Sequence, residues 1–445
     1  MIYHIYKSLR GGARHISFHT PGHKGGGALS AFFSECALDL TELPFTDDLG
    51  SPSGPIAAAQ SDIASIAGAK RAYITTDGST SGIYAMLYAA RQAGGKIIVP
   101  RNSHKSVWHA CRLVGLEPVI VQGEEREGVM LPPDPEKVAA LFAADADICG
   151  IIAVSPDYYG NVAPLEKYAE AAHAYGRTLM VDGAHGAHLA FGADRPLYAG
   201  EYADMWVDGA HKTLPVLTQG AAVFLNDLRF EERLSEGLSV FRTTSPSFPI
   251  MASVEFGYKY TAANTVEIEK VKEGIKALKA ALPDLAFYPS DDWTKLCIDC
   301  APLTVDSRLF AKRLEKKRVY AEFADGRYVV FYLSAATTPS HLKALRSALV
   351  SALRVKKLRK TYVPRRAMPV PARTYSYLYA LAQPFEYLPP ENCVGRMSAC
   401  NAGLMPPCIP VVAAGEIITD AAAKMLAGAE HTFGLKDGLL KVVKR

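Results

Sequence analysis

The chain has 445 residues, 49% of them hydrophobic and 21% charged, with a formal net charge of +4. That length suggests two or three domains with substantial cores, and so small a charge excess gives no sign of a nucleic-acid or membrane partner. No stretch approaches about eighteen uncharged apolar residues, the first fourteen residues hold no apolar signal-like segment, and the eight scattered cysteines form no disulfide framework, so a cytoplasmic protein is expected.

Residues 1–45 read as an arm, punctuated by Gly11-Gly12 and Gly25-Gly26-Gly27, with a short helix over 29–38. Over 46–250 the pattern alternates. Helices are predicted at 56–67, 81–94, 104–114, 135–143 and 165–175, and strands at 71–75, 96–99, 118–121, 148–154, 178–181, 203–207 and 220–225. Such alternation predicts an α/β domain with a mostly parallel sheet covered on both faces. Over 251–360 a small α+β domain is expected. It would contain a long amphipathic segment, 250–282, with Val254, Tyr258, Val266, Ile268, Val271 and Ile275 as its apolar members. It would also contain strands at 295–298, 319–323 and 327–333 and helices at 307–316 and 340–353. Lys356, Lys357, Arg359, Lys360, Arg365 and Arg366 form a basic run. It reads as a solvated helix end and linker, because base-stacking aromatics are sparse there. Residues 361–445 read as a C-terminal α+β domain ending in a helix over 419–426.

Two turns carry the chemistry. Val207-Asp208-Gly209-Ala210-His211-Lys212-Thr213 follows an apolar run and sets a lysine among small and apolar neighbours. Dry surroundings disfavour an ammonium, and a neutral amine can attack an aldehyde. Val181-Asp182-Gly183-Ala184-His185-Gly186-Ala187-His188 repeats the same five residues at the end of another strand. Ligands of open α/β sheets bind beyond the carboxyl ends of strands. An acid and a lysine there meet the needs of pyridoxal phosphate (PLP), which takes a Schiff-base lysine and a carboxylate for its pyridinium nitrogen. Asp182 and Asp208 sit in identical contexts, and the residues alone do not choose between them. Cys297-Ile298-Asp299-Cys300 lacks the partner pair that a zinc site needs, so no metal is expected.

Further motifs run almost the length of the chain: Phe18-His19-Thr20-Pro21-Gly22-His23-Lys24, Asp39-Leu40-Thr41-Glu42 with Asp47-Asp48-Leu49, and Asp77-Gly78-Ser79-Thr80-Ser81-Gly82. Then come Arg101-Asn102-Ser103-His104-Lys105-Ser106, Ser155-Pro156-Asp157-Tyr158-Tyr159-Gly160 and Pro406-Pro407-Cys408-Ile409-Pro410. With the two turns, their order and spacing resemble the bacterial ornithine/lysine/arginine decarboxylase family, in its short form without an N-terminal wing domain. The resemblance implies a PLP-dependent transferase fold of type I with a seven-stranded-type sheet. It implies decarboxylation of a basic amino acid, arginine favoured over lysine or ornithine, in a homodimer or higher homo-oligomer whose N-terminal arm lies across the partner. It also implies site roles: Lys212 as the Schiff-base lysine, Asp182 as the pyridinium partner, and Ser79, Thr80, Ser81 and His211 on the phosphate. His104 would stack on the ring and act as an acid or base near the substrate's α-carbon, with Ala184 on the other face and His185 beside it; Lys212, His104 and Asp182 are thus the expected catalytic residues.

Five positions depart from the family pattern. Gly183 replaces an acid, Gly209 a serine, Asp157 a threonine or asparagine, Cys408 a glycine, and Ala414 a proline. Asp157 could meet a cationic substrate or cap a turn; Asp47, Asp48, Glu386 and Glu416 are other acids that could meet one. Transamination, aldol cleavage and a non-catalytic PLP-binding role stay open as alternatives.

Overall fold

The computed structural model describes residues 16–18, 47–92, 95–192, 194–354, 367–405 and 408–445. The helix expected over 29–38, the motifs at 19–24 and 39–42, Pro406-Pro407 and the basic run from Lys356 to Arg366 lie outside these residues. Of the arm, Ile16–Phe18 is described. It pairs in parallel with Val319–Ala321 of the same chain, and the Phe18 ring meets Phe331 edge-on at 5.6 Å.

Seven strands build the central sheet: β1 (Arg71–Thr75), β2 (Lys96–Pro100), β3 (Glu117–Val121), β4 (Ile148–Val154), β5 (Thr178–Gly183), β6 (Met205–Asp208) and β7 (Ala221–Leu225). Their spatial order is β1-β7-β6-β5-β4-β2-β3, and β7 alone runs antiparallel to its neighbours. β4, β5 and β7 are buried at every residue, as unbroken apolar runs must be when helices cover both faces. On one face lie Pro55–Ala67 and Leu165–Ala174; on the other lie Gly78–Ala90 and Lys105–Val114. Gly78–Ala90 presses so closely that a Cβ on Gly82 would come within 2.7 Å of Val207 and Val223. This helix begins three residues before the predicted start, which brings Ser79 and Thr80 into its first turn. A helix over Glu231–Phe241, absent from the sequence reading, packs against it, with Gly237 opposite Ala85.

The predicted 250–282 helix is two helices, Phe248–Ala263 and Thr265–Ala280. The break is Asn264, whose side-chain amide donates to Tyr260 O at 2.7 Å and competes with the helical ladder. Val266, expected on the apolar face, is 65% exposed beside that break. In the small domain Ala286–Phe287, Lys295–Asp299, Tyr328–Tyr332 and Phe323–Ala324 form an antiparallel sheet. The single strand predicted at 319–323 divides at Glu322. Glu322 N donates to Val330 O while Phe323 pairs with the same Val330. Two residues facing one is a bulge, a device that re-aims side chains. Beyond residue 367 two three-stranded sheets hold Asp420–Ala427. The chain does not end on this helix, as expected, but on Leu439–Val443, the central strand of one sheet.

Candidate active site

The register of the central sheet separates the two candidate acids. Val154, Asp182 and Val207 are cross-strand neighbours on β4, β5 and β6. Asp208 is therefore one residue out of step, and its side chain leaves the opposite face. There it is fully buried, accepting from the Tyr198 and Tyr258 hydroxyls at 2.9 Å each. Burial pushes its carboxyl up to about 7 against the pull of those hydroxyls. Asp182 instead lines a cavity with Ser79, His104, Ala184, His185 and Lys212.

Lys212 rides on the short helical turn Ala210–Thr213, and its Nζ lies 3.2 Å from His185 Nε2. Enclosure lowers the affinity of this amine for a proton, while Asp182 and Glu322 oppose that effect. Burial also raises the Asp182 carboxyl, and Lys212 draws it back. Burial, then the charge of Lys212, holds His185 well below the ordinary imidazole range, so it is neutral at pH 7. His104 caps the helix Lys105–Val114: its Nδ1 accepts from Ser106 N and lies 2.7 Å from Ser106 Oγ. Burial, then Lys212, lowers it to about 3.

These residues fit PLP. The first turn of Gly78–Ala90 has no side-chain cap from Asp77 and no acid, and such helix starts accept phosphate through their N–H groups. Ser79 lines the cavity, but the Ser81 hydroxyl is engaged by Thr75 Oγ1 and Gly78 O. Thr80 and His211 do not line the cavity, and His211 Nδ1 meets Gly220 O at 3.1 Å. His185 Nδ1 is buried with no partner among the described residues. Ala184 offers a small wall. The Gly209 departure has a steric cause: a Cβ there would lie 2.4 Å from Ala184 O. The two turns touch by backbone, and serine does not fit this contact.

Of the other acids, Asp157 also lines this cavity, and Asp48 accepts from Gly50 N at 2.7 Å. Asp157 clamps its own turn, accepting from Tyr159 N, Asn161 N and the Asn161 amide. Asp47 accepts backbone N–H groups ahead of Pro55–Ala67, and Glu386 pairs with Arg396. Glu416 pairs with Arg101, both side chains 2% exposed, and joins the C-terminal domain to the loop that delivers His104. Glu416→Gln would strand a buried guanidinium, and its expected destabilisation is about 3–5 kcal/mol, read as a fall in the urea midpoint.

Several cavity neighbours escaped the sequence reading. The Tyr158 and Tyr332 rings lie 5.1 and 5.2 Å from that of His185. Tyr158 belongs to the Ser155-Pro156-Asp157-Tyr158 motif, which gave it no role of its own. Tyr332, Glu322 and Lys295 come from the small domain and carry no local signature.

Residues 6–323 match the family description "Orn/Lys/Arg decarboxylase, major domain". The Bacillus subtilis protein YaaO, described as uncharacterised, is 31% identical over 95% of this chain and 93% of its own length. An arginine decarboxylase of Bacillus anthracis is 29% identical over 91% and 88%. The solved constitutive lysine decarboxylase of Escherichia coli superposes with a TM-score of 0.76 at 18% identity, over 99% of this chain and 81% of that one. The arrangement of lysine, acid and helix start at the strand ends and the match over most of the sequence agree: this chain belongs to the Orn/Lys/Arg decarboxylase family of PLP-dependent amino-acid decarboxylases.

Proposed function

We propose that the protein decarboxylates arginine, with lysine and ornithine as the alternative substrates. The observation that carries the reading is the placement of Lys212 and Asp182 in one cavity at the carboxyl ends of β5 and β6. Arginine is favoured because relatives matching about nine-tenths of both chains bear that name. PLP, when bound, supplies an electron sink for the pair left as carbon dioxide departs.

The chain's own residues would do the rest. Ser79 and the first-turn N–H groups of Gly78–Ala90, which begins with Gly78, Ser79 and Thr80, would hold the phosphate. Asp182 holds negative charge at the ring nitrogen. His104 and Ala184 sandwich the ring, and the neutral His185 steadies Lys212. Lys212 Nζ, whose proton enclosure makes easier to release, would hold the cofactor, and Lys212 or His104 would return a proton to the substrate carbon. The same proposal includes a homodimer, tested by light scattering.

Glu322 is the acid we assign to the cationic end of the substrate. It stands on the small-domain bulge, and its charge acts on Lys212, Tyr158 and Tyr332 together. A hydrogen bond to a charged group is worth about 1.5–3 kcal/mol. Glu322→Gln is therefore expected to raise the KM for arginine roughly tenfold or more, with a smaller change in kcat. An unchanged KM would move substrate recognition to another residue.

A further inference from the structure

Outside the cavity, where the small domain meets the turn after β5, lies a second charged cluster with no role in the chemistry above. The Lys295, Asp292 and His188 side chains are all 0% exposed. Lys295 Nζ donates to Asp292 Oδ2 at 2.9 Å and to Thr294 Oγ1 at 2.7 Å. His188 Nε2 meets Asp292 Oδ1 at 2.7 Å. Burial pushes the Asp292 carboxyl up, but His188 and Lys295 outweigh it and hold it far below the usual range. Burial outweighs Asp292 in lowering His188. Lys295 forms the ion pair of the group with Asp292.

Three lines of contact run from this lysine to the cavity walls. Its ammonium lies 4.7 Å from the centre of the Tyr332 ring, and that ring meets His185 edge-on, beside Lys212. Its stem packs on Gly160, where a Cβ would come within 3.0 Å of Lys295 Cβ and Cγ. Gly160 O accepts from Asp292 N, and Tyr158 O accepts from the Tyr332 hydroxyl at 3.3 Å, so the Tyr158 loop is tied to the same block. His188 closes the turn that carries Ala184 and His185. Burying a lysine and an aspartate is expensive unless their geometry is good, and apolar residues would fill the space more cheaply.

We propose that Lys295 is a positioning residue for the reaction: its buried ammonium, pinned by Asp292, locks Tyr332, the Tyr158 loop and the His185–His188 turn into one block against Lys212. The inference rests on the PLP reading of the cavity. The charged and titratable groups around the Lys212 amine include Asp182, Asp157, His185, His104, Glu322, Tyr158 and Lys295 itself. Of the nearby cations, Lys295 acts to disfavour the protonated amine.

The test is a pH titration of the visible absorption band of the PLP-loaded protein, for wild type and Lys295→Met. Losing a neighbouring positive charge raises the midpoint, here by on the order of one pH unit, and kcat falls while the protein stays folded. The doubly neutral Asp292→Asn/Lys295→Met leaves no unpaired charge and, losing one charge of each sign, should keep its midpoint; should the single variant not fold, it is read by kcat, which is expected to fall at unchanged KM, and an unchanged kcat would overturn the proposal. A folded, cofactor-loaded variant with an unchanged midpoint and only a lower melting temperature would make Lys295 a structural residue and overturn the proposal. A wild-type protein without the band would overturn the cofactor reading instead.

Discussion

Lys212→Ala is expected to lower turnover by about 10⁴-fold or more, because residues acting as one catalytic unit are not replaced by their neighbours. Among the described residues lining the cavity it is the one primary amine. Its surroundings suit a nucleophilic amine. The negative charges of Asp182 and Glu322 favour its protonated form, while enclosure and Lys295 make the proton easier to release. An amine in that state can attack an aldehyde near neutral pH, which an exposed lysine does poorly. The same variant is expected to lose the visible band of lysine-bound PLP while keeping its melting temperature within a few degrees. Adding methylamine would restore part of the rate if the missing group is simply a base. A Lys212→Ala protein that keeps both band and turnover would end the assignment.

Asp182→Asn should have the second-largest effect. A carboxylate about 4 Å from a protonated ring nitrogen, at an effective dielectric near 20, contributes roughly 4 kcal/mol. Removing it is expected to lower kcat by about 10³-fold, with cofactor binding weakened less. Asp208→Asn is the control. It shares the Val-Asp-Gly-Ala-His context, but its partners are Tyr198 and Tyr258 on the far face of the sheet. It should cost stability, about 1–2 kcal/mol, and leave kcat within about threefold. Reversed effects in the two variants would mean that the wrong acid had been assigned.

That pair also shows what can be read from the chain alone. Most strands and helices of the α/β domain were legible within a few residues, because unbroken apolar runs and 3.6-residue spacing depend on local burial. The cofactor turns were legible because small residues and a lysine together at a strand end are unusual. The choice between Asp182 and Asp208 rested on the family resemblance, since the face a side chain takes depends on strand register, a property of two segments. Asn264 and Glu322 broke predicted elements for local reasons, a side chain competing for the backbone and a bulge, neither of which apolar periodicity reports. Glu322 was missed for the same reason as Lys295: residues more than eighty positions away from Lys212 in the chain influence it only through the fold. Of the acids that looked available in the sequence, Glu416 is occupied by Arg101, while Asp157 clamps the Asn161 turn and also lines the cavity.

The most direct test of the account is release of carbon dioxide and amine by the PLP-loaded wild-type protein from arginine, lysine and ornithine in parallel. The account predicts stoichiometric amine and carbon dioxide, no ketoacid, and the highest kcat/KM on arginine. Turnover on none of the three, with the visible band intact, would contradict it and turn attention to other bonds at the substrate's α-carbon.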